Sequence, residues 1–307
     1  GWCSADGYHG STGMSVGHRT DRRAQLSLLP SPLYVLKAAL TRARSLAWLV
    51  RRSSVAKPAG TRLLFYHRVS EDRDPLAVTP RRFREQMDFL ASEGYTVVDV
   101  VEAARLLDAP SPPPRVVGLS FDDGYLDVAQ NALPVLAEHG FTATVFIATG
   151  AVDGSVTFDW YQNPPPLMAW DDIIALDGGR LRFEAHTITH PNLLPLDAAA
   201  AEWEIATSKQ TLEQRLGRRV QAFCYPAGLF GPRERRLVAQ AGYEVAVSCE
   251  PGLNVSDTDR LALHRNAVDA RDRLLDFRAK LGGGHDSPLP LRGLYRRLRY
   301  SAPPTGA

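Results

Sequence analysis

From Arg62 to Val268 the chain alternates short apolar runs with amphipathic segments, and a glycine closes most of the latter. The runs are apolar almost throughout rather than at every second residue. That pattern marks strands buried on both faces, as in a parallel sheet covered by helices. Thr79-Pro80 reads as a helix start, Phe83, Met87 and Leu90 keep helical spacing, and Gly94 stops the segment. The punctuation returns at Gly140, Gly178-Gly179, Gly217 and Gly242, and Asp197 opens the segment that Gly217 closes. Strands are expected over 62–69, 95–98, 115–121, 141–148, 180–186, 220–225, 243–248 and 261–268. Seven or eight such units favour an α/β chain wound into a closed or nearly closed (β/α) barrel over an open sheet. Residues 149–167, with Trp160, Tyr161 and three prolines, make a connection long enough to be a lid or wall.

At 307 residues and 44% hydrophobic the chain can bury one large core. A net charge of +2 gives no field that argues for nucleic acid. Three scattered cysteines, Cys3, Cys224 and Cys249, suggest neither a disulfide framework nor a thiolate metal site. Three regions are expected: 1–57, a disordered start followed by a basic amphipathic helix near 33–50; 58–275, the catalytic domain; and 276–307, a basic, Pro-rich tail. No convincing signal peptide or membrane span is visible, so a cytoplasmic or membrane-peripheral place is expected. The N-terminal helix would supply peripheral membrane contact, and a monomer is the expected state.

Two strings carry the chemistry: Ser120-Phe121-Asp122-Asp123-Gly124 and His186-Thr187-Ile188-Thr189-His190. Alone, Asp-Asp-Gly is ordinary turn chemistry, and two histidines four apart occur without function. Both strings, however, close expected strands, which is where parallel α/β folds carry their sites. Two imidazole nitrogens and one carboxylate oxygen form a three-ligand set for a zinc-type ion with a position left open for water. The other carboxylate is then available as a general base. A helical zinc-protease motif is excluded: Thr187 stands where it needs Glu, and Pro191 disfavours helix at His190. A phosphatase of the haloacid-dehalogenase type is disfavoured because its aspartates are one residue apart, whereas Asp122 and Asp123 are adjacent.

Five ordered blocks, FYHRV, SFDDGY, AHTITHPNL, FCYPAG and LHRNAV, resemble the polysaccharide deacetylases of the NodB-homology group between Leu63 and Val268. The FYH block followed by FRxxMxxLxxxGY is most similar to the branch acting on poly-N-acetylglucosamine. The resemblance implies a distorted (β/α) barrel of about seven strands and removal of acetyl groups from an N-acetylated polysaccharide or oligosaccharide. It also implies a divalent metal, zinc by preference, on Asp123, His186 and His190, with Asp122 as base. The Tyr225 block would offer a backbone N–H to the oxyanion. Cys224 stands where many members have Arg, and Arg265 is the candidate to orient Asp122 instead. The general acid falls to His67, with His264 as the alternative. An O-acetyl esterase and a non-catalytic glycan binder are the competing readings. Trp160 and Tyr161 are the candidate sugar-facing aromatics.

Overall fold

The computed structural model describes residues 32–51, 60–109, 113–158, 160–161 and 163–286. The expected disordered start at 1–25 and the end of the basic tail, 287–307, lie outside the described residues. The main sheet runs through β10 (Asn266–Ala267), β1 (Arg62–Tyr66), β5 (Val116–Asp122), β6 (Ala143–Ile147), β7 (Leu181–Ala185), β8 (Ala222–Cys224) and β9 (Val245–Val247), with β4 (Thr96–Val98) pairing beside β5. Every pairing is parallel. The sheet curls into the expected distorted (β/α) barrel, with seven strands along this path and β4 as an eighth beside β5. Strands β1, β5 and β6 are buried along their whole length, as their apolar sequence requires.

Capping explains the helix boundaries. Thr79 Oγ1 accepts from the Arg82 N–H ahead of α2 (Pro80–Ser92), and Asp99 Oδ1 accepts from Val101 and Glu102 at the start of α3 (Val100–Leu107). Asp197 caps α7 (Ala198–Leu216), which ends at Gly217 in the left-handed conformation. Helix α4 (Leu133–His139) is preceded by a π-turn over Val128–Ala132, within the expected 127–139 helix. The connection 149–167 begins with a one-turn helix, α5 (Thr149–Val152), and is followed by α6 (Trp170–Leu176).

Three expected elements differ in the structure. The 62–69 run breaks at His67, and its end, β2 (Arg68–Val69), leaves the barrel to pair with β3 (Ala77–Val78). The 261–268 strand reduces to a bridge from Leu263 to Val247 and then β10 against β1. That single segment changes neighbours midway and nearly joins the two edges of the sheet. Finally, ordered packing does not stop at residue 275. Helix α8 (Pro232–Gln240) is followed beyond β10 by α9 (Leu274–Leu281), which buries Phe277 in the core, and Arg62 donates to Asp286 through both Nη atoms at 2.5 and 2.6 Å. The helix α1 (Pro32–Arg51) packs on α9 through Ser45 and Arg42.

Candidate active site

Strand register brings the site together. Tyr66 lies opposite Phe121, so His67 and Asp122 leave adjacent strands side by side. Ala185 lies opposite Phe223, so His186 emerges next to Cys224. Gly124 makes the turn after Asp123 possible: its φ is +76°, and a Cβ there would sit 2.7 Å from Ile147 Cγ2. Asp123, Thr187, His190 and Ala227 also have positive φ, at +74°, +67°, +58° and +53°. Left-handed backbone at non-glycine residues costs of order 1–3 kcal/mol each and persists only where surroundings enforce it.

Those surroundings are visible. Glu204, buried on α7, accepts from the Ile188 and Thr189 N–H groups at 2.8 and 3.0 Å and from Thr189 Oγ1 at 2.5 Å. Thr187 Oγ1 accepts from the His190 N–H at 3.0 Å. Sequence reading missed Glu204, although a signal existed: it falls in register with Ala201, Ile205, Ser208 and Leu212 on the buried face of α7. A carboxylate on an apolar helix stripe has a buried polar duty to perform.

His186 Nδ1 lies 2.7 Å from the Cys224 carbonyl oxygen, an arrangement that makes Nδ1–H the donor and turns Nε2 toward Asp123. The Nε2 atoms of His186 and His190 each stand 3.7 Å from Asp123 Oδ1, and that oxygen is buried with no hydrogen-bond partner. Ligand atoms about 2.1 Å from a tetrahedral ion lie roughly 3.4 Å apart. An orphaned carboxylate oxygen facing two imidazoles therefore fits a divalent cation. Burial pushes the His186 and His190 pKa values below the usual imidazole range, which favours the neutral, ligating form. Burial also raises Asp123, because its charged form is disfavoured there without a counter-charge.

Asp122 has the opposite environment. Arg265, fully buried, donates from Nη1 to Oδ1 at 2.7 Å and from Nη2 to Oδ2 at 2.9 Å. The guanidinium is itself fixed by the Ser248 carbonyl and Ser120 Oγ, and it lies over the Phe65 ring at 4.3 Å. Burial alone would raise the Asp122 pKa, but the charge and hydrogen bonds of Arg265 outweigh it and hold the carboxyl below its ordinary range. Cys224 Sγ lies 3.0 Å from Arg265 Nη2 and 3.7 Å from Asp122 Oδ2. Asp122, His186 and Cys224 also converge closely enough to suggest ligands. That trio fits a cation poorly, because the guanidinium already holds both Asp122 oxygens and burial keeps Cys224 a protonated thiol.

The remaining candidates separate. His67 follows Tyr66, which is paired with Phe121, so it leaves β1 beside Asp122 at the end of β5. His264 instead exchanges backbone hydrogen bonds with the Asn254 side chain and packs on Gly252. Tyr225 does not hold its N–H toward the site: that group donates to the Val247 carbonyl at 3.3 Å, and the hydroxyl donates to Leu261. In the same turn the Gly228 and Leu229 N–H groups are taken by Tyr225 and Pro226 carbonyls. Trp160 stacks on Phe158 at 4.4 Å and meets His190 edge-on at 5.0 Å, with 44% of its surface exposed. The Tyr161 hydroxyl is turned away to Asp74.

Known proteins share this arrangement of strands and sequence. A Bacillus subtilis protein named as a polysaccharide deacetylase is 29% identical over 223 residues, covering 72% of this chain and 75% of its own. The poly-beta-1,6-N-acetyl-D-glucosamine N-deacetylase of Staphylococcus epidermidis is 24% identical over 238 residues, covering 69% of this chain and 81% of that protein. The solved structure of IcaB from Ammonifex degensii superposes with a TM-score of 0.64 at 23% identity, over 75% of this chain and 99% of that one. Residues 109–246 match the family model for polysaccharide deacetylases, so the chain carries a stretch similar to that domain.

Proposed function

We propose that the chain is a divalent-metal-dependent N-deacetylase acting on a polymer or oligomer of the N-acetylglucosamine type, with zinc as the preferred ion. The observation that carries this reading is the pairing of two differently furnished carboxylates on one strand end. Asp123 is left for a cation, and Asp122 is locked by Arg265. The relatives named for poly-N-acetylglucosamine support the substrate class.

Asp123, His186 and His190 would hold the ion. A divalent cation there supplies Lewis acidity, lowering the pKa of water toward about 7 and polarising the acetyl carbonyl. Asp122 accepts the proton of the attacking water. Arg265 makes it a weaker base than one tuned near neutrality, but guarantees that it is ionised and fixes its orientation. Carbonyl charge then needs a preorganised donor. With the Tyr225 N–H spent, the Ala227 N–H is the candidate within that turn. His67 gives its proton to the amine nitrogen as the C–N bond breaks, releasing acetate and a free amino sugar. Trp160, exposed above His190, offers the flat apolar face on which a pyranose ring packs.

The test is mass spectrometry of N-acetylglucosamine oligomers after incubation with zinc-loaded protein. Stepwise loss of acetyl groups is expected. Hydrolysis of acetylxylan with the amide oligomers untouched would replace the reading with an O-acetyl esterase, and inactivity on both would leave a glycan binder.

A further inference from the structure

Helix α1 is amphipathic in the inverted sense. Its inward side is polar: Ser45 Oγ, fully buried, donates to Asp276 Oδ1 at 2.7 Å, Arg42 pairs with Asp276 at 2.9 Å, and Trp48 Nε1 donates to the Gly282 carbonyl at 3.0 Å. Its outward side carries Val35, Leu36, Leu40, Leu46, Leu49 and Val50, exposed by 36 to 81%. These are six of the nine large apolar side chains exposed among the described residues, so the exposure is concentrated rather than scattered. At 3.6 residues per turn the six cover about half the circumference of the helix. Lys37 and Arg51, both exposed, line one edge of that face, with the half-buried Arg44 midway between them in sequence. No Asp or Glu occurs between Asp21 and Glu71.

We propose that this face seats the protein on an anionic phospholipid bilayer, with α1 lying in the plane of the interface. Apolar side chains flanked by cations along a helix too polar to span a bilayer are the chemistry of an interfacial helix. Among the described residues no helix is long and apolar enough to cross a membrane. The cationic edge favours anionic lipid over a second copy of this chain, since a second α1 would present the same cations and no carboxylate. The helix is already docked by its polar side, so binding needs no refolding.

Co-sedimentation of the full chain with vesicles tests this independently of the proposed reaction. Binding to vesicles of phosphatidylglycerol and phosphatidylcholine is expected, with partitioning about ten-fold or more weaker on pure phosphatidylcholine and in high salt. Replacing three outward residues together, Leu36→Gln, Leu40→Gln and Val50→Gln, should abolish sedimentation while far-ultraviolet circular dichroism and thermal unfolding stay unchanged. The pair Lys37→Gln and Arg51→Gln should weaken binding to the anionic vesicles alone, by about five-fold per charge. Failure of the wild-type chain to sediment, or equal sedimentation of the triple variant, would overturn the proposal. So would a wild-type dimer, absent from vesicles, that the triple variant dissociates.

Discussion

On the Arg265 side of the site both oxygens of Asp122 are met by donors, whereas on the histidine side Asp123 Oδ1 is buried with no hydrogen-bond partner. The two carboxylates are adjacent in sequence and about equally buried, so burial does not distinguish them. What differs is the strand each one faces. Asp122 ends β5 and meets a cation delivered from just before β10, while Asp123 turns away through a left-handed residue toward the loop after β7. A fully satisfied polar group is preset and rigid. An unsatisfied one, on left-handed backbone of its own and facing a histidine loop that Glu204 fixes, is a seat for something else. The proposed division of roles rests on this contrast rather than on either motif alone.

The largest effect should come from emptying the seat. His186→Ala is expected to cost zinc binding and all measurable turnover, since the proposed three-ligand site would lose a ligand together with the hydrogen bond to Cys224. Metal content by atomic absorption beside a hydrolysis assay checks it, and wild-type zinc affinity in the variant would end the ligand assignment.

On the satisfied side, Arg265→Met leaves a buried carboxylate without its counter-charge, a change that typically costs about 3–5 kcal/mol of stability. Urea unfolding measures the loss. Arg265→Lys should recover only part of it, because an ammonium keeps the charge without the two-pronged geometry. Full recovery by lysine would show that the fork is unimportant.

His67 ends the strand next to Asp122. His67→Ala should slow amide hydrolysis by about 100- to 10,000-fold, yet slow hydrolysis of an activated acetyl ester far less, because that leaving group needs little proton assistance. Equal losses on both substrates would make His67 structural. The smallest effect should follow Glu204→Gln, which keeps one carbonyl acceptor for the loop but removes the charge. A stability loss of about 1–2 kcal/mol is expected, with weaker zinc binding as the loop loosens. An unchanged zinc affinity would separate loop order from metal binding.

Much of this contrast is legible in the sequence. Punctuation by glycine and capping residues marks the strands, and strand ends are where adjacent Asp and spaced His residues become informative. The barrel's closing segment is harder to read. Residues 261–268 look like one strand, but the chain there bonds first to β9 and then to β1, a change of neighbours that leaves no trace in hydrophobic pattern. Helix α9 reads as tail because Pro- and Arg-rich sequence follows it, although Phe277 is core. Which N–H of the Tyr225 block stays available is hidden for a different reason. Backbone hydrogen bonds depend on which strand lies alongside, and β9 takes the Tyr225 N–H. Residue type does not rank His67 against His264. Register against β5 separates them, because only His67 follows a residue paired with Phe121.

The central claim is that neighbouring carboxylates perform separate jobs, and zinc titration of Asp122→Asn by calorimetry tests it most directly. The substituted protein should bind zinc with an affinity close to that of the wild-type chain while hydrolysis falls by about 100- to 10,000-fold. A variant that no longer binds zinc, or one that binds it and turns over substrate at a near-normal rate, would contradict the assignment.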